Sequence, residues 1–430
     1  MLITAGRVLT GSGTYLEDGA VLVEGDSIAE VGPRAQLADR AGSDGVHLAF
    51  PDATVVPGLI DAHVHLVFDG SADPLATLRE SDDEALLAGM RQRAEQLVSS
   101  GVTTVRDLGD RNHLALRLNE EIAQRRTRGP RIVSAGTPLT VPGGHCHFLG
   151  GEVSGEAAVR DLVRRNLVAG ARVIKVMASG GGLTKDGPKS WQPQFSAGEL
   201  RALVDEAHQA GVPVAAHAHS ATGIAAAVDA GVDTIEHCTW MTEDGFALRQ
   251  EVLKKIVEQG IAVCPAVSPH WQMAARIFGE ERTKVLFGQV REMAQADVRL
   301  IAGTDAGVQR TGFDGTLAGA LGFYAHLGMP NDQVLDMATA HAADALGIGG
   351  STGRIKPGLS ADLLVVDGDP LSDLSALKEI RAVVAAGQVH DLSSRPEQQS
   401  QSVSGLHPRG VQAATTRSRP PAPPSPPPAG

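Results

Sequence analysis

The chain is predicted to be an α/β protein, a closed (β/α)₈ barrel carrying a small β-sandwich domain formed by both ends of the chain. Three observations lead there. From Val55 onward, short apolar strand-like runs alternate with helix-compatible stretches, which is the pattern of a parallel sheet. The residues on either side of that region read as strands alone. The polar residues that interrupt the apolar runs fall at the strands' carboxyl ends, where barrels place their chemistry.

Residues 1–54 contain LITAGRVL and GAVLVEGDSIAEVG, runs broken by Gly and Asp. They are assigned to the first part of the small β-domain. Residues 55–348 are assigned to the barrel. Its first strand lies in TVVPGLIDAHVHL (54–66). GVTTVRDLG (101–109), PRIVSAG (130–136) and ARVIKVMAS (171–179) follow. Then come VPVAAHAHS (212–220), VDTIEHC (232–238), IAVCPAV (261–267) and VRLIAGTDAG (298–307). Eight such units across about 250 residues match a TIM-like barrel. A doubly wound open sheet is the alternative, and it accounts less well for the placement of the polar residues. In 349–390 the runs GRIKPG, ADLLVVDG and IRAVVAAGQVH return to strand character and rejoin the N-terminal strands. Residues 391–430 are rich in Ser, Gln, Arg and Pro. Such a composition cannot bury enough apolar surface to order itself, so this tail is expected to be disordered.

At 430 residues the chain has room for one large domain and a smaller one. Aromatic residues are only 3% of the chain and Gly numbers 50, so the core must be aliphatic. The net charge of −12 argues against nucleic acid as a partner. No run approaches the roughly 18 apolar residues of a membrane span. Cys146, Cys238 and Cys264 are odd in number and far apart, so no disulfide framework is implied. These features place the protein in the cytoplasm, and a homo-oligomer is compatible with them.

Side chains two apart on a strand share a face, so His63 and His65 project together. Two imidazoles on a rigid element can begin a metal site, although two hydrogen-bonded loop histidines would explain the pair equally well. Other strands add Lys175, His217, His219, His237 and Asp305, each breaking an apolar run. A lysine buried on an apolar strand is rare unless paired or chemically altered. For Asp305 a helix N-cap is the plain alternative. Arg106 and Asp107 are expected to form a structural pair. Trp191, Trp240 and Trp271 suit a pocket wall or the core equally.

The motifs PGLIDAHVH, GVTTVRDLG, GGH (143–145), VIKVMASGG, AAHAH, GVDTIEH, AGTDAG and GRIKPGLSADLLVVDGDPL together resemble the amidohydrolase superfamily. The resemblance is to its branch of prolidase-like, carboxypeptidase-like and ochratoxin-type hydrolases with imidazolonepropionase relatives. It implies two divalent metal ions, most often zinc. His63 and His65 would hold the first with Asp305, and His217 and His237 the second. Lys175 resembles the family's carboxylated lysine, whose CO2-derived carbamate presents two anionic oxygens to both ions. A metal-bridging hydroxide would attack a small-molecule amide, and Asp305 would serve as general base and then acid. His145 resembles a substrate-contacting histidine. The distance in sequence to His237 matches the family's pattern when His217 is the ligand, so the resemblance implies that His219 is left to bind substrate. Together with Lys185 and Lys189, these two histidines favour a substrate with a free carboxylate.

The expected reaction is cleavage of the C–N bond of a dipeptide or N-acyl amino acid. Cyclic amides, lactones and deaminable rings suit the same site. Imidazolonepropionase proper lacks the lysine, so Lys175 argues against that activity. A non-catalytic scaffold is the alternative of another class, and the intact ligand positions speak against it.

Overall fold

In the computed structural model, which describes residues 1–390 apart from 12 and 42–44, the two ends of the chain meet in one sheet. The N-terminal part supplies Leu2–Gly11 (β1), Thr14–Glu24 (β2), Ser27–Pro33 (β3) and His47–Pro57 (β4). β4 pairs in parallel with β1 on one side. Its other side pairs antiparallel with a strand from the far end of the sequence, Leu363–Asp367. Ile380–Ala385 and Gln388–His390 extend the edge to seven strands. Ile3, Val8, Val21, Val55, Leu363 and Val365 form an apolar cluster of this sheet's own. GRIKPG, expected as a strand, is instead turns and bends, as its Gly and Pro residues favour.

The stretch 54–66 is not one strand. β4 ends at Pro57, and Leu59–Val64 (β5) starts a second sheet. Gly58 makes that turn between sheets at the closest point of approach. A Cβ there would fall inside the van der Waals envelope of Thr103 Oγ1, Cγ2 and Cβ. Gly58→Ala should therefore lower stability by about 1–3 kcal/mol through overpacking. Chemical denaturation would measure this, and Thr103→Ala in the same chain should recover part of the loss. A neutral Gly58→Ala would show that the junction is loose.

β5 pairs in parallel with Val102–Asp107 (β6), and β6 with Arg131–Ser134 (β7). Ile174–Met177 (β8), Val214–Ser220 (β9), Thr234–Thr242 (β10) and Ala262–Cys264 make a second parallel set, with Gly245–Phe246 (β11) as a short antiparallel addition to β10. Ala262–Cys264 is β12, and the three C-terminal strands above are β13, β14 and β15. Helices lie between the strands for the reasons the sequence suggests. In Ala197–Gln209, Ser196 and Glu199 form a capping box, and Leu200, Leu203, Val204 and Ala207 bury one helical face.

Backbone hydrogen bonds also run between the two sets. Met177 N donates to Leu139 O, and Leu139 N donates to Lys175 O, at 2.9 and 2.8 Å. Ala62 N donates to Ala302 O, and Ile301 N donates to Val263 O, both at 2.9 Å. The expected eighth strand, 298–307, is thus held by isolated bridges to β12 and β5 rather than by a continuous ladder. No helix among the described residues is long and apolar enough to cross a membrane. The expectation for the tail falls on 391–430, outside the described residues.

Candidate functional site

The carboxyl ends of β5, β8, β9 and β10, with the segments that carry His145 and Asp305, bring together the histidines, the lysine and the aspartate that the sequence singled out as ligands or substrate contacts. His65, His145, Lys175, His217, His219, His237 and Asp305 line one cavity of about 290 Å³. His63 lies beneath it, 1% exposed. The six imidazoles form a continuous cluster. Ring centroids are 5.3 Å apart for His63 and His65, 5.1 Å for His63 and His237, and 4.7 Å for His217 and His237. His219 stacks on His237 at 4.5 Å, and His145 lies 4.6 Å from His217.

Among the described residues three groups have the geometry to hold a cation, one of them the fully buried His63, Glu236 and Cys264 and the other two on the cavity. Ligand atoms of His217, His219 and His237 lie within 4.8 Å of one another, and so do those of His63, His237 and Asp305. His237 belongs to both. The packing therefore does not separate His217 from His219 as a ligand, because β9 presents both on one face.

Burial is the main force on these groups. It pushes His65 and His219 down to about 4 and His145 to about 3, with His217 and His237 also well below the usual imidazole range. Five histidines are thus neutral at pH 7, the state a metal ligand needs. Burial opposes the Asp305 carboxylate, yet the facing histidines, His63 foremost, hold its pKa below the usual range. Its Oδ1 is 3.3 Å from His63 Nε2 and 3.6 Å from His65 Nε2.

Lys175 is the anomaly. It is 1% exposed, and its Nζ has no hydrogen-bond partner among the described residues. Burial pushes its pKa down to about 8, against the pull of Glu236. An orphaned buried ammonium is costly. This donor set fits a site that takes cations and a chemically altered lysine better than it fits a closed polar core.

Glu236 was not singled out by sequence, although it stands in the GVDTIEH motif beside His237. It is fully buried and accepts from three directions. Arg106 Nη2 donates at 2.7 Å, Thr234 Oγ1 at 2.7 Å, and His63 Nδ1 lies 2.8 Å away. Occupying Nδ1 leaves His63 Nε2 for the cavity, the usual device that orients a ligating histidine. Gly109 O does the same for His65 Nδ1 at 3.1 Å. Asp61 is a second unforeseen support, accepting from His63 N and from Thr304 N and Oγ1.

Arg106 and Asp107 are structural but not partners of each other. Arg106 binds Ala62 O, Thr234 and Glu236, while Asp107 accepts from Leu66 N and Gly109 N. They are adjacent on a strand, so their side chains point to opposite faces.

Adjacent Glu236 and His237 serve different roles because β10 bulges there. His237 pairs with Ala218 and Met241 with Ser220, so β10 carries extra residues against β9. His237, Cys238 and Trp240 all have φ between 51° and 68°, a left-handed conformation unusual for non-glycine residues. Such bulges re-aim side chains next to active sites. Asp305 shares the conformation at φ 58°. Just before it, Gly303 lets the backbone approach β5 so closely that a Cβ would lie 2.8 Å from that of His63.

Lys185 and Lys189 are exposed and do not line the cavity, so the expected cationic support for a substrate carboxylate is missing from the wall. Their loop turns them to solvent, where their hydration is kept. Trp240 is wholly buried, and Trp191 borders neither this cavity nor its neighbour. Cys146, Cys238 and Cys264 are free and buried.

The sequence profile of the amidohydrolase family matches residues 54–390, and that of a bacterial imidazolonepropionase-like composite domain matches 19–41. The chain is 28% identical to an ochratoxinase of Aspergillus niger, over 89% of this chain and 84% of that protein. It is 26% identical to an imidazolonepropionase of Acidiphilium cryptum, over 84% and 90% respectively. Among solved structures, a Xaa-Pro dipeptidase with methionine bound in its active site superposes with a TM-score of 0.78. Their identity is 29%, over 91% of this chain and 99% of the other.

Proposed function

Because the chain belongs to the amidohydrolase family, we propose that it is a binuclear metal-dependent hydrolase that cleaves the amide bond of a small dipeptide or N-acyl amino acid. One observation carries the reading above all. A buried, unpartnered Lys175 Nζ shares a cavity wall with five neutral histidines and an ionised aspartate. Similarity to an ochratoxinase and a Xaa-Pro dipeptidase supports the amide as the bond cleaved.

In this reading His63, His65 and Asp305 hold one divalent ion, His217 and His237 hold the other, and zinc is the ion expected for imidazole-rich sites. When bound, the two ions supply Lewis acidity and a water of lowered pKa. Lys175 supports both as a carbamate. Its neutral amine nitrogen bonds to the carbon of CO2, one proton leaves, and an anionic carboxylate group remains. A pKa near 8 leaves about a tenth of the lysine neutral at pH 7, where an unperturbed lysine is almost wholly charged.

The chain's own groups perform the remaining work. Asp305, ionised and 23% exposed toward the cavity, accepts the proton of the attacking water and returns it to the leaving nitrogen. Glu236 and Gly109 O keep His63 and His65 turned inward. His145 and His219 are neutral donors on the rim, suited to the scissile carbonyl or a nearby carboxylate. We further read 55–348 as a closed barrel, supported by the hydrogen bonds through 298–307. Residues 1–54 and 349–390 are read as a sandwich domain, supported by their separate apolar cluster. The three free cysteines support a cytoplasmic location.

Elemental analysis tests the binuclear assignment. Active protein should carry about two divalent ions per chain, lose activity to a strong chelator, and regain it with zinc. Full activity with one ion or none would overturn it.

A further inference from the structure

Aromatic side chains are scarce in this chain, with nine Phe, three Trp and two Tyr. Four of them, Trp271, Phe278, Phe287 and Phe323, line a single cavity of about 180 Å³. Composition alone would place about one aromatic residue or none in a wall of this size. Most other lining residues are small or aliphatic, among them Pro265, Val267 and Val290. The cavity also includes His237, which lines the metal-site cavity as well.

Three features show that this space is built rather than left over. Its inner wall carries His237, Cys238 and Ala266 in the left-handed conformation, with φ of 68°, 51° and 53°. Such backbone strain costs about 1–3 kcal/mol per residue and clusters at functional sites. Trp271 Nε1 and Gln289 Oε1, both from lining residues, are buried polar atoms without a partner among the described residues. At the mouth, Phe278 is 54% exposed and its neighbour Ile277 is 66% exposed. Large apolar groups at that exposure cost free energy unless something covers them.

We propose that this cavity is the specificity pocket of the hydrolase, and that it takes an aromatic ring attached close to the scissile amide. The proposal rests on the amide-hydrolase reading above and adds to it the class of substrate. Volume favours one ring, since a dry cavity of about 150 Å³ lined by Leu, Ile and Phe binds benzene. The wall offers edge and face contacts for such a ring. Trp271 and Phe323 pack at 5.9 Å and 63°, and Phe287 and Phe323 at 4.8 Å and 75°. A charged side chain would find no counter-ion here among the described lining residues.

The test compares N-acetyl-phenylalanine with N-acetylglycine on the zinc-loaded full chain, by turnover and by calorimetric binding. The aromatic compound should be favoured by about ten- to hundredfold in kcat/KM and in affinity, as burial of one ring implies. Ala274→Trp fills the cavity and Phe287→Ala removes one wall. Either should cut that preference to less than about threefold, with metal content unchanged. Two variants guard against the failure of one to fold. Equal turnover and equal binding of the two compounds by wild type would overturn the pocket while leaving the hydrolase reading intact. Tighter binding of the aromatic compound without hydrolysis of either would uphold the pocket and count against the reaction.

Discussion

Asp305→Asn should lower kcat/KM by about 10²–10⁴-fold, the contribution typical of a positioned acid–base group. The carboxylate stands between His63 Nε2 and His65 Nε2, and against the cost of burial the facing His63 above all keeps it ionised. An amide of the same shape keeps the packing but cannot accept the proton of water. Metal content must be measured alongside, because Asp305 is also assigned as a ligand. Loss of activity with two ions still bound would separate the proton-transfer role from the ligand role. Activity within tenfold of wild type, with metal retained, would remove Asp305 from the proposed chemistry; the helix-cap alternative is already excluded, since the next helix starts only at Thr316.

Lys175→Ala should cost at least about a hundredfold in activity, because even outer partners of a metal site cost 10–100-fold when removed. The fold should survive, since the substitution relieves an unpartnered buried amine. The melting temperature should therefore stay level or rise while zinc retention falls. Restoring metal to stripped wild-type protein in bicarbonate should recover more activity than in its absence, and the variant should show no such dependence. An active Lys175→Ala protein would make the lysine an ordinary core residue. Unchanged recovery with and without bicarbonate would argue against the carbamate alone.

Much of the site was legible because its signals are local. A two-residue spacing aligns His63 with His65, and His217 with His219, by strand geometry alone. Lys175 and Asp305 stood out because each interrupts an apolar run where burial makes a charge costly. The order of strands and helices could be read the same way, from periodicities that extend over only a few residues.

What escaped the sequence depends on residues distant in the chain. Glu236 reaches His63 across 173 positions and Arg106 across 130, and no local pattern marks an acid as the anchor of a histidine that far away. The bulge that turns His237 inward arises only when β10 is aligned against β9. Gly58 divides a continuous apolar run because Thr103 packs against it. Trp271 was as suited to the core as to a wall until Phe287 and Phe323, on two other helices, met it beside His237. Which chemical groups are present, and which strands carry most of them, can be read from the chain alone, since side-chain alternation and apolar patterning are properties of neighbouring residues. Which nitrogens of His63 and His65 face the cavity, which groups remain unpartnered and what shape lies beside them emerge only in three dimensions. Those depend on long-range packing, where each contact is set by two segments at once.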